Sequence, residues 1–447
     1  MKKIVKKISV LVVIGLAILV YSYYPKLDII TGYAAKNEAS VLFLAHRTKA
    51  SAENQDNNFS PISLANEDVN LNDKSVSATV FGLKKRTAVF REGLGSVLMI
   101  DGVSDSLKYD IPHRNFKRIN LPYPYGDNPQ KDTLFNNINY NKLQKAVDNA
   151  FDKEESYIKK TRAVLVIYKD YIIAEKYVEG FNKNTPILGW SMGKSVTSAV
   201  LGVLQKQGKI NINQSHLFPE WEKDERSKIT LNNLLQMNSG LEWNEDYNTI
   251  SDVTKMLFLE KDMSKMQLNK PLVGTPNQSW NYSSGTTNLL SKFIRNQFKT
   301  HQEYLDFWYA ALIDKIGMHS MLIETDLSGN YVGSSYGWAT PRDWAKFGLL
   351  YLHDGNWNGE QILNKTWVNY TKKTTNGSNG EYGAQFWLNA GGKYPDAPKD
   401  LFSCNGYQGQ RVFIIPSKNL VIVRMGLTEP PKFDFNLFLK EIIYAVK

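Results

Sequence analysis

The sequence contains a single cysteine, Cys404, in 447 residues. One cysteine cannot form an intramolecular disulfide, and it cannot supply the several thiolates of a cysteine-based zinc site. The fold must therefore be stabilised by an apolar core, for which the length of the chain and its 42% hydrophobic residues are sufficient. We interpret Cys404 as a small buried apolar residue.

The sequence also lacks concentrated basic segments, although its formal net charge is +10. The lysines at positions 2, 3, 6 and 7, next to the first apolar run, supply four of these charges. The other basic residues come in short groups interleaved with acids, and no basic helix or zinc-finger spacing is present. We therefore expect no nucleic-acid partner.

The N-terminal region contains one long uncharged run, Ile8–Tyr24. As a helix it would extend about 25 Å, slightly less than the hydrocarbon core of a bilayer. Tyrosines at its end fit a membrane interface, and the preceding lysines would stay in the cytoplasm. We expect residues 1–27 to be an uncleaved membrane anchor, with the rest exported to the periplasm or the exterior. The alternative is a cleaved signal peptide and a soluble periplasmic protein, although small residues suited to cleavage, Ala34 and Ala35, come late.

The rest of the chain divides into two regions of different pattern. Residues 28–139 indicate an irregular lead-in with few strands and no assignable role. Within 140–447, apolar runs at 163–168 and 171–178 predict a hairpin closed by a two-residue turn, and further strands are predicted around 411–424. Strands at both ends with helices between them predict an α+β fold, in which one antiparallel sheet is formed from both ends of the domain and flanked by helices.

Two overlapping motifs surround one serine, and they imply different chemistry. Gly189–Gly193 matches G-x-S-x-G, which in an α/β-hydrolase needs a buried strand directly before the serine and a histidine late in the chain. The preceding residues, 181–188, are polar and contain Pro186, so they predict a poor buried strand. The last histidine, His353, also lies far from the C-terminus. We therefore favour the second motif.

The second motif is S-x-x-K, formed by Ser191 and Lys194. Residues three apart share one face of a helix, so the Lys194 amine can reach the Ser191 hydroxyl. A desolvated lysine can remove the proton from a serine nucleophile. A serine at the start of a helix also has free backbone N–H groups nearby that can stabilise an oxyanion.

Two later segments contain further candidates. Pro276–Ser284 precedes a predicted helix and carries Tyr282, whose hydroxyl could hydrogen-bond both the serine and a leaving group. Asn405–Gln410 is a glycine-rich turn that leads into a predicted strand. That strand could offer a second N–H group to the oxyanion.

Together these motifs resemble the serine β-lactamase and penicillin-recognising superfamily, in its class C and esterase branch. The closest similarity is to 6-aminohexanoate-dimer hydrolase-like proteins. The resemblance covers about residues 140–447. It rests on segments that follow the order of that family, namely Ser191–Lys194, Ile229–Leu241, Trp280–Ser284, Ile316–Met318, Trp338–Gly348 and Gly406–Gln410. The early segment Thr31–Lys36 is an additional similarity.

The resemblance implies an acyl-enzyme mechanism without metal or cofactor. Ser191 is then the nucleophile, Lys194 its base and Tyr282 the proton shuttle, and the N–H groups of Ser191 and Tyr407 form the oxyanion hole. The Lys-Thr-Gly strand of the superfamily has no counterpart before Gly406, although Arg411 could replace its cation. Ser284 stands where the superfamily's Tyr-x-Asn motif has asparagine.

These departures favour a small ester or linear amide as substrate over an anionic one. Two alternatives remain open at this point. The first is a β-lactamase or a cell-wall D-amino-acid peptidase on the same fold. The second is a non-catalytic envelope protein that uses the cleft for binding.

The anchor hypothesis makes a direct prediction about the mature protein. Because no cleavage site follows the apolar run at the usual distance, we expect the membrane fraction to retain residues 8–24. N-terminal sequencing of the purified protein checks this. A mature chain that begins near residue 25 or 36 would identify a processed, soluble protein instead.

Overall fold

The computed structural model describes residues 24–100, 109–153, 158–429 and 431–446. Apart from its last residue, the expected anchor at 8–24 lies outside these ranges. Among the helices that are described, none combines the length and apolar character needed to cross a bilayer. The chain forms two compact units, the first from Met1–Arg91, Ser96–Leu107 and Glu245–Lys261, and the second from Glu92–Gly95, Lys108–Asn244 and Asp262–Lys447.

The first unit contains a long helix, α1 (24–43), a single turn, α2 (Lys49–Ser51), and an antiparallel sheet. The expectation of a strand-poor lead-in is wrong for this part of the chain. In β2, the buried residues Val76, Ala78 and Val80 alternate with Ser77 and Thr79, a short pattern in which alanine and threonine differ little in hydrophobicity. The strands, in sheet order, are β1 (Asn66–Asn70), β2 (Ser75–Val80), β3 (Leu83–Arg91) and β4 (Gly95–Leu98).

The second unit is built on a larger antiparallel sheet, in the order β12-β13-β14-β15-β5-β6. Strand β15 pairs with β5, with Val423 opposite Leu165, so the two ends of the domain meet in the middle of the sheet. This confirms the predicted α+β arrangement and the predicted hairpin. The strands are β5 (Thr161–Tyr168), β6 (Tyr171–Tyr177), β7 (Ile187–Leu188), β8 (Leu322–Ile323), β9 (Gly337–Ala339), β10 (Asn356–Trp357), β11 (Glu360–Gln361), β12 (Trp387–Leu388), β13 (Phe402–Gly406), β14 (Gln410–Ile415) and β15 (Leu420–Gly426).

Helices cover both faces of this sheet. Every residue of β5 is buried, which explains its nearly continuous apolar run. Val164 and Val166 pack in one cluster with residues of α3 and α12, whereas Leu165 and Ile167 pack in another with residues of α4 and α10. The helices of the second unit are α3 (Tyr140–Asn149), α4 (Gly193–Lys206), α5 (Leu231–Leu235), α7 (Ser264–Leu268), α8 (Ser284–Arg295), α9 (His301–Trp308), α10 (Pro341–Leu352), α11 (Lys365–Thr371) and α12 (Phe435–Ala445), whereas α6 (Asp252–Leu259) belongs to the first unit.

Helix α10 approaches the sheet closely at Gly348. A Cβ atom at this position would lie 2.8 Å from the Cγ1 atoms of both Val412 and Val421. Real Cβ atoms do not come this close to neighbours, and branched side chains in a packed sheet have little room to move. Glycine is therefore required here by packing, even though it lowers helix propensity.

Packing and helix propensity make opposite predictions for the substitution of Gly348 by alanine. Propensity alone predicts that Gly348→Ala stabilises the helix by about 1 kcal/mol. We expect instead a loss of about 1–3 kcal/mol in the free energy of unfolding, because the added methyl overpacks the interface. Urea unfolding measures the change, with the exposed Asn369→Ala in α11 as the control, and a stabilised Gly348→Ala protein would contradict the packing argument.

Candidate active site

Ser191 lies in a tight turn between a short strand and a helix. Gly189 N donates to Gly337 O at 2.8 Å, which fixes the end of β7 against β9, and a 3₁₀ turn, Trp190–Met192, then leads into α4. Trp190 has φ of +48°, a left-handed conformation that a bulky residue rarely adopts. Its indole contacts the ring of Tyr407 edge-on at 5.6 Å. This turn presents Ser191, 9% exposed, at the start of the helix.

The surroundings of Ser191 do not fit the α/β-hydrolase alternative. Strand β7 has two residues and pairs antiparallel with β9, whereas the alternative needs a buried strand of a parallel sheet. His353, the last histidine, binds Asp170 instead, with Nε2 at 2.6 Å from a carboxylate oxygen. The choice of S-x-x-K over the elbow motif is therefore supported by the topology.

Lys194 is the centre of the polar contacts at this site. Its side chain is 1% exposed, and Nζ lies 3.0 Å from Ser191 Oγ. Nζ also lies 2.9 Å from Ser284 Oγ and 2.9 Å from the backbone oxygen of Ser334. A charged amine has three protons and so can donate to all three acceptors, whereas a neutral amine can accept the Ser191 proton. The amine is thus held within reach of the Ser191 hydroxyl, from which a neutral lysine can take a proton.

Tyr282 lies beside Lys194, with Nζ 5.0 Å from the centre of the phenol ring. The tyrosine directly precedes the capped start of α8, where the Ser283 side chain accepts a hydrogen bond from Thr286 N. The structure thus brings Ser191, Lys194 and Tyr282 together from segments about ninety residues apart in the sequence. The proton-shuttle role of Tyr282 remains a prediction.

Two of the Lys194 contacts were not anticipated from the sequence. Ser284 was noted as a departure from the family motif, and the structure shows that its hydroxyl contacts the amine directly. Ser334 contributes a backbone oxygen, and no side-chain pattern in the sequence signals such a contact. Its approach depends on Gly193 and Gly333, because a Cβ on Gly193 would lie 2.6 Å from Gly333 O.

The end of β13 lies against the turn that carries the nucleophile. A Cβ on Gly406 would lie 2.1 Å from Gly189 O, so only glycine permits this approach. Tyr407 follows directly, in a turn where Gln408 has φ of +57°. The buried Arg424 donates a hydrogen bond to Gly409 O at 3.0 Å, which stabilises this turn. The placement supports the predicted use of Tyr407 N–H in the oxyanion hole, which remains a prediction.

Arg411, which could replace the missing cation of the third motif, donates to the backbone. Its Nη1 donates to the backbone oxygens of Gly406 and Gln410, at 3.0 and 2.7 Å. The guanidinium group also lies 4.4 Å from the centre of the Phe435 ring, at the start of α12. Burial lowers the pKa of this group. Arg411 is therefore engaged by the protein itself, on the α12 side of the sheet.

Aromatic side chains surround Tyr282. Trp280, Tyr282, Tyr382 and Trp387, which we call the aromatic wall, contact one another with ring centres 5.2–6.4 Å apart. Lys393 Nζ lies 5.3 Å from the centre of the Trp387 ring but is paired with Glu381 at 2.6 Å. The wall gives the neighbourhood of Lys194 an apolar surface.

Comparisons with solved structures agree with this architecture. A protein named as a 6-aminohexanoate-dimer hydrolase, from Bacillus anthracis, matches with 22% identity and a TM-score of 0.54, over 68% of this chain and 80% of that chain. A family VIII carboxylesterase matches with 14% identity and a TM-score of 0.54, over 71% and 98%. A penicillin-binding protein homologue from Caulobacter crescentus matches with 12% identity and a TM-score of 0.54, over 71% and 99%.

These structural similarities show the fold, and a family model shows the family. A search of curated protein sequences found no match. The model of the Beta-lactamase family, however, matches residues 148–439, which include Ser191, Lys194, Tyr282 and Tyr407. This chain belongs to the Beta-lactamase family of serine hydrolases.

Proposed function

We propose that this protein hydrolyses short uncharged carboxylic esters or small linear amides through an acyl-enzyme on Ser191. The observation that carries the proposal is the buried Lys194 amine, 3.0 Å from the Ser191 hydroxyl and 5.0 Å from the Tyr282 ring. An amine in this position can accept the serine proton, and a phenol beside it can relay that proton onward. A non-catalytic binding protein would not need a desolvated base against a nucleophile.

The reaction begins when Ser191 Oγ attacks the substrate carbonyl carbon and its proton passes to Lys194 Nζ. The carbonyl oxygen becomes an oxyanion, which accepts hydrogen bonds from Ser191 N–H and Tyr407 N–H. The bond to the leaving alkoxide or amine then breaks, and the proton moves from Lys194 through the Tyr282 hydroxyl to that leaving group. Water, deprotonated by the same pair, then attacks the acyl carbon. The bond from that carbon to Ser191 Oγ breaks, the proton returns to Ser191 Oγ, and the acid is released.

The charges around the cleft support an uncharged acyl group. In other members of the superfamily, a lysine of the third motif often binds a substrate carboxylate, but Cys404 and Asn405 precede Gly406 here. Arg411 is committed to backbone oxygens, and Lys393 is paired with Glu381. The aromatic wall can bury apolar substrate surface, which contributes roughly 25 cal/mol per Å².

We also propose that residues 1–27 hold the enzyme at the membrane on its exported side. The uncharged run with preceding lysines supports this proposal. The enzyme would then bind its substrate outside the cytoplasm.

A substrate panel tests the proposed activity. We expect p-nitrophenyl acetate and butyrate to be cleaved, with slow turnover of a chromogenic cephalosporin. Ser191→Ala should lower kcat by about 10³-fold or more, because the nucleophile and base act as a unit. Ser198→Ala is the control and should retain turnover. Ser198 lies on the same helix as Lys194, and its buried hydroxyl donates to Ala384 O. Efficient cephalosporin hydrolysis with negligible ester cleavage would replace this proposal by a β-lactamase activity.

The two neighbouring serines before and in α8 should differ in their effect on catalysis. Ser284→Ala removes an acceptor of the buried Lys194 amine, so we expect the rate constant of acylation to fall by about 10- to 100-fold and the free energy of unfolding to fall by about 1–3 kcal/mol. Ser283→Ala removes the helix cap, so it should cost about 1 kcal/mol of stability and leave the Lys194 contacts in place. Stopped-flow acylation and urea unfolding of both variants measure these effects. Equal acylation rates in wild type and Ser284→Ala would show that Ser284 does not position the base.

A further inference from the structure

Three glutamates of the first unit lie close to one another. Glu38 lies on α1, Glu53 in the π-helical turn Ala52–Asp56, and Glu67 on β1. One carboxylate oxygen from each lies within 4.8 Å of the other two. Glu38 and Glu67 are buried, whereas Glu53 is exposed, so the cluster is open to solvent on one side. Three separate segments of the unit thus present an acid to one point.

Glu38 provides a second and independent observation. Its side chain is 0% exposed, and neither of its carboxylate oxygens has a hydrogen-bond partner in the described part of the chain. A buried carboxylate without partners is costly, because it loses water and gains nothing in exchange. Burial and the nearby Glu67 raise the pKa of Glu38 to about 8. The protein itself therefore leaves this acid uncompensated.

The other charges nearby do not balance the cluster. Glu67 accepts a hydrogen bond from Asn57 Nδ2 at 3.0 Å, which carries no charge. Lys49 Nζ lies 3.4 Å from Glu53 Oε1 and donates to the backbone oxygen of Glu67 at 2.9 Å. With all three glutamates ionised, as ligands of a cation would be, one lysine leaves a net charge of two negative units.

The spacing of the oxygens fits a metal ion. Two oxygens bound to one Ca²⁺ at about 2.4 Å lie no more than about 4.8 Å apart. Carboxylates are hard ligands, preferred by Ca²⁺, Mg²⁺ and Mn²⁺, and water can fill the remaining positions on the open side. We propose that Glu38, Glu53 and Glu67 bind one hard divalent cation of this group. The cation connects α1, the π-helical turn and β1.

A competing explanation is that Glu38 is simply protonated. The two explanations make opposite predictions for Glu38→Gln, which is neutral and nearly the same size. If a cation binds, the substitution removes a ligand and abolishes the response to metal. If a proton is held instead, the substitution relieves the strain of an uncompensated acid and stabilises the protein without any metal response.

The full-length protein, treated with EDTA and dialysed, should be titrated separately with CaCl2, MgCl2 and MnCl2 in a calorimeter, with thermal unfolding measured in parallel. We expect at least one salt to bind with one cation per chain and to raise Tm. Glu38→Gln and Glu53→Gln should weaken that binding at least tenfold. Asp68→Asn, an exposed acid adjacent to Glu67 on β1, is the matched control and should bind as wild type does.

Glu53 is exposed, so Glu53→Gln is not expected to prevent folding and keeps the test decisive even if Glu38→Gln is unstable. Thermal unfolding without added metal serves as the check of folding in every variant, since the substituted residues lie in the first unit and Ser191 in the second. The proposal is overturned if no salt binds at this stoichiometry, or if Glu38→Gln and Glu53→Gln bind metal as tightly as wild type. A metal-independent rise in Tm for Glu38→Gln would identify the proton as the occupant.

Discussion

The active site depends on the burial of one amine. Lys194 is almost fully excluded from water, and an amine in such a place costs several kcal/mol unless acceptors surround it. Its three acceptors come from the nucleophile turn, from the first turn of α8 and from the backbone at Ser334. The need to satisfy this amine therefore requires three segments to meet, and the same contacts place the base against Ser191 and beside Tyr282.

Close backbone approach makes this meeting possible. Gly193 lets the start of α4 lie close to the backbone at Gly333. This approach places the Ser334 backbone oxygen next to the Lys194 amine. Gly406 lets the end of β13 lie on Gly189, which brings Tyr407 to the nucleophile turn. Any side chain at these positions would push the segments apart by more than a hydrogen bond tolerates. The glycines thus determine how closely the segments around Ser191 and Lys194 can meet.

The proposed recognition of the acyl group depends on the charges and aromatic rings near Tyr282. Cations near the cleft are engaged by the protein, Arg411 by backbone oxygens and Lys393 by Glu381. The aromatic wall supplies apolar surface in their place. This family fold can therefore keep its nucleophile and base while the groups that recognise the acyl portion change, because recognition and proton transfer use different segments.

The sequence by itself predicted the fold class and the proximity of Ser191 and Lys194. Ser191 and Lys194 lie one helical turn apart, a local geometry that spacing alone fixes, and the long apolar strands at both ends predicted the antiparallel sheet. The sheet at 66–98 was missed because β1 has a single apolar residue, Val69, and the alternation in β2 is short. Only the tertiary structure decided that Ser334 contacts Lys194 and that Arg411 faces Phe435, because a backbone acceptor has no side-chain signature and the direction of a strand residue depends on which helix covers that face.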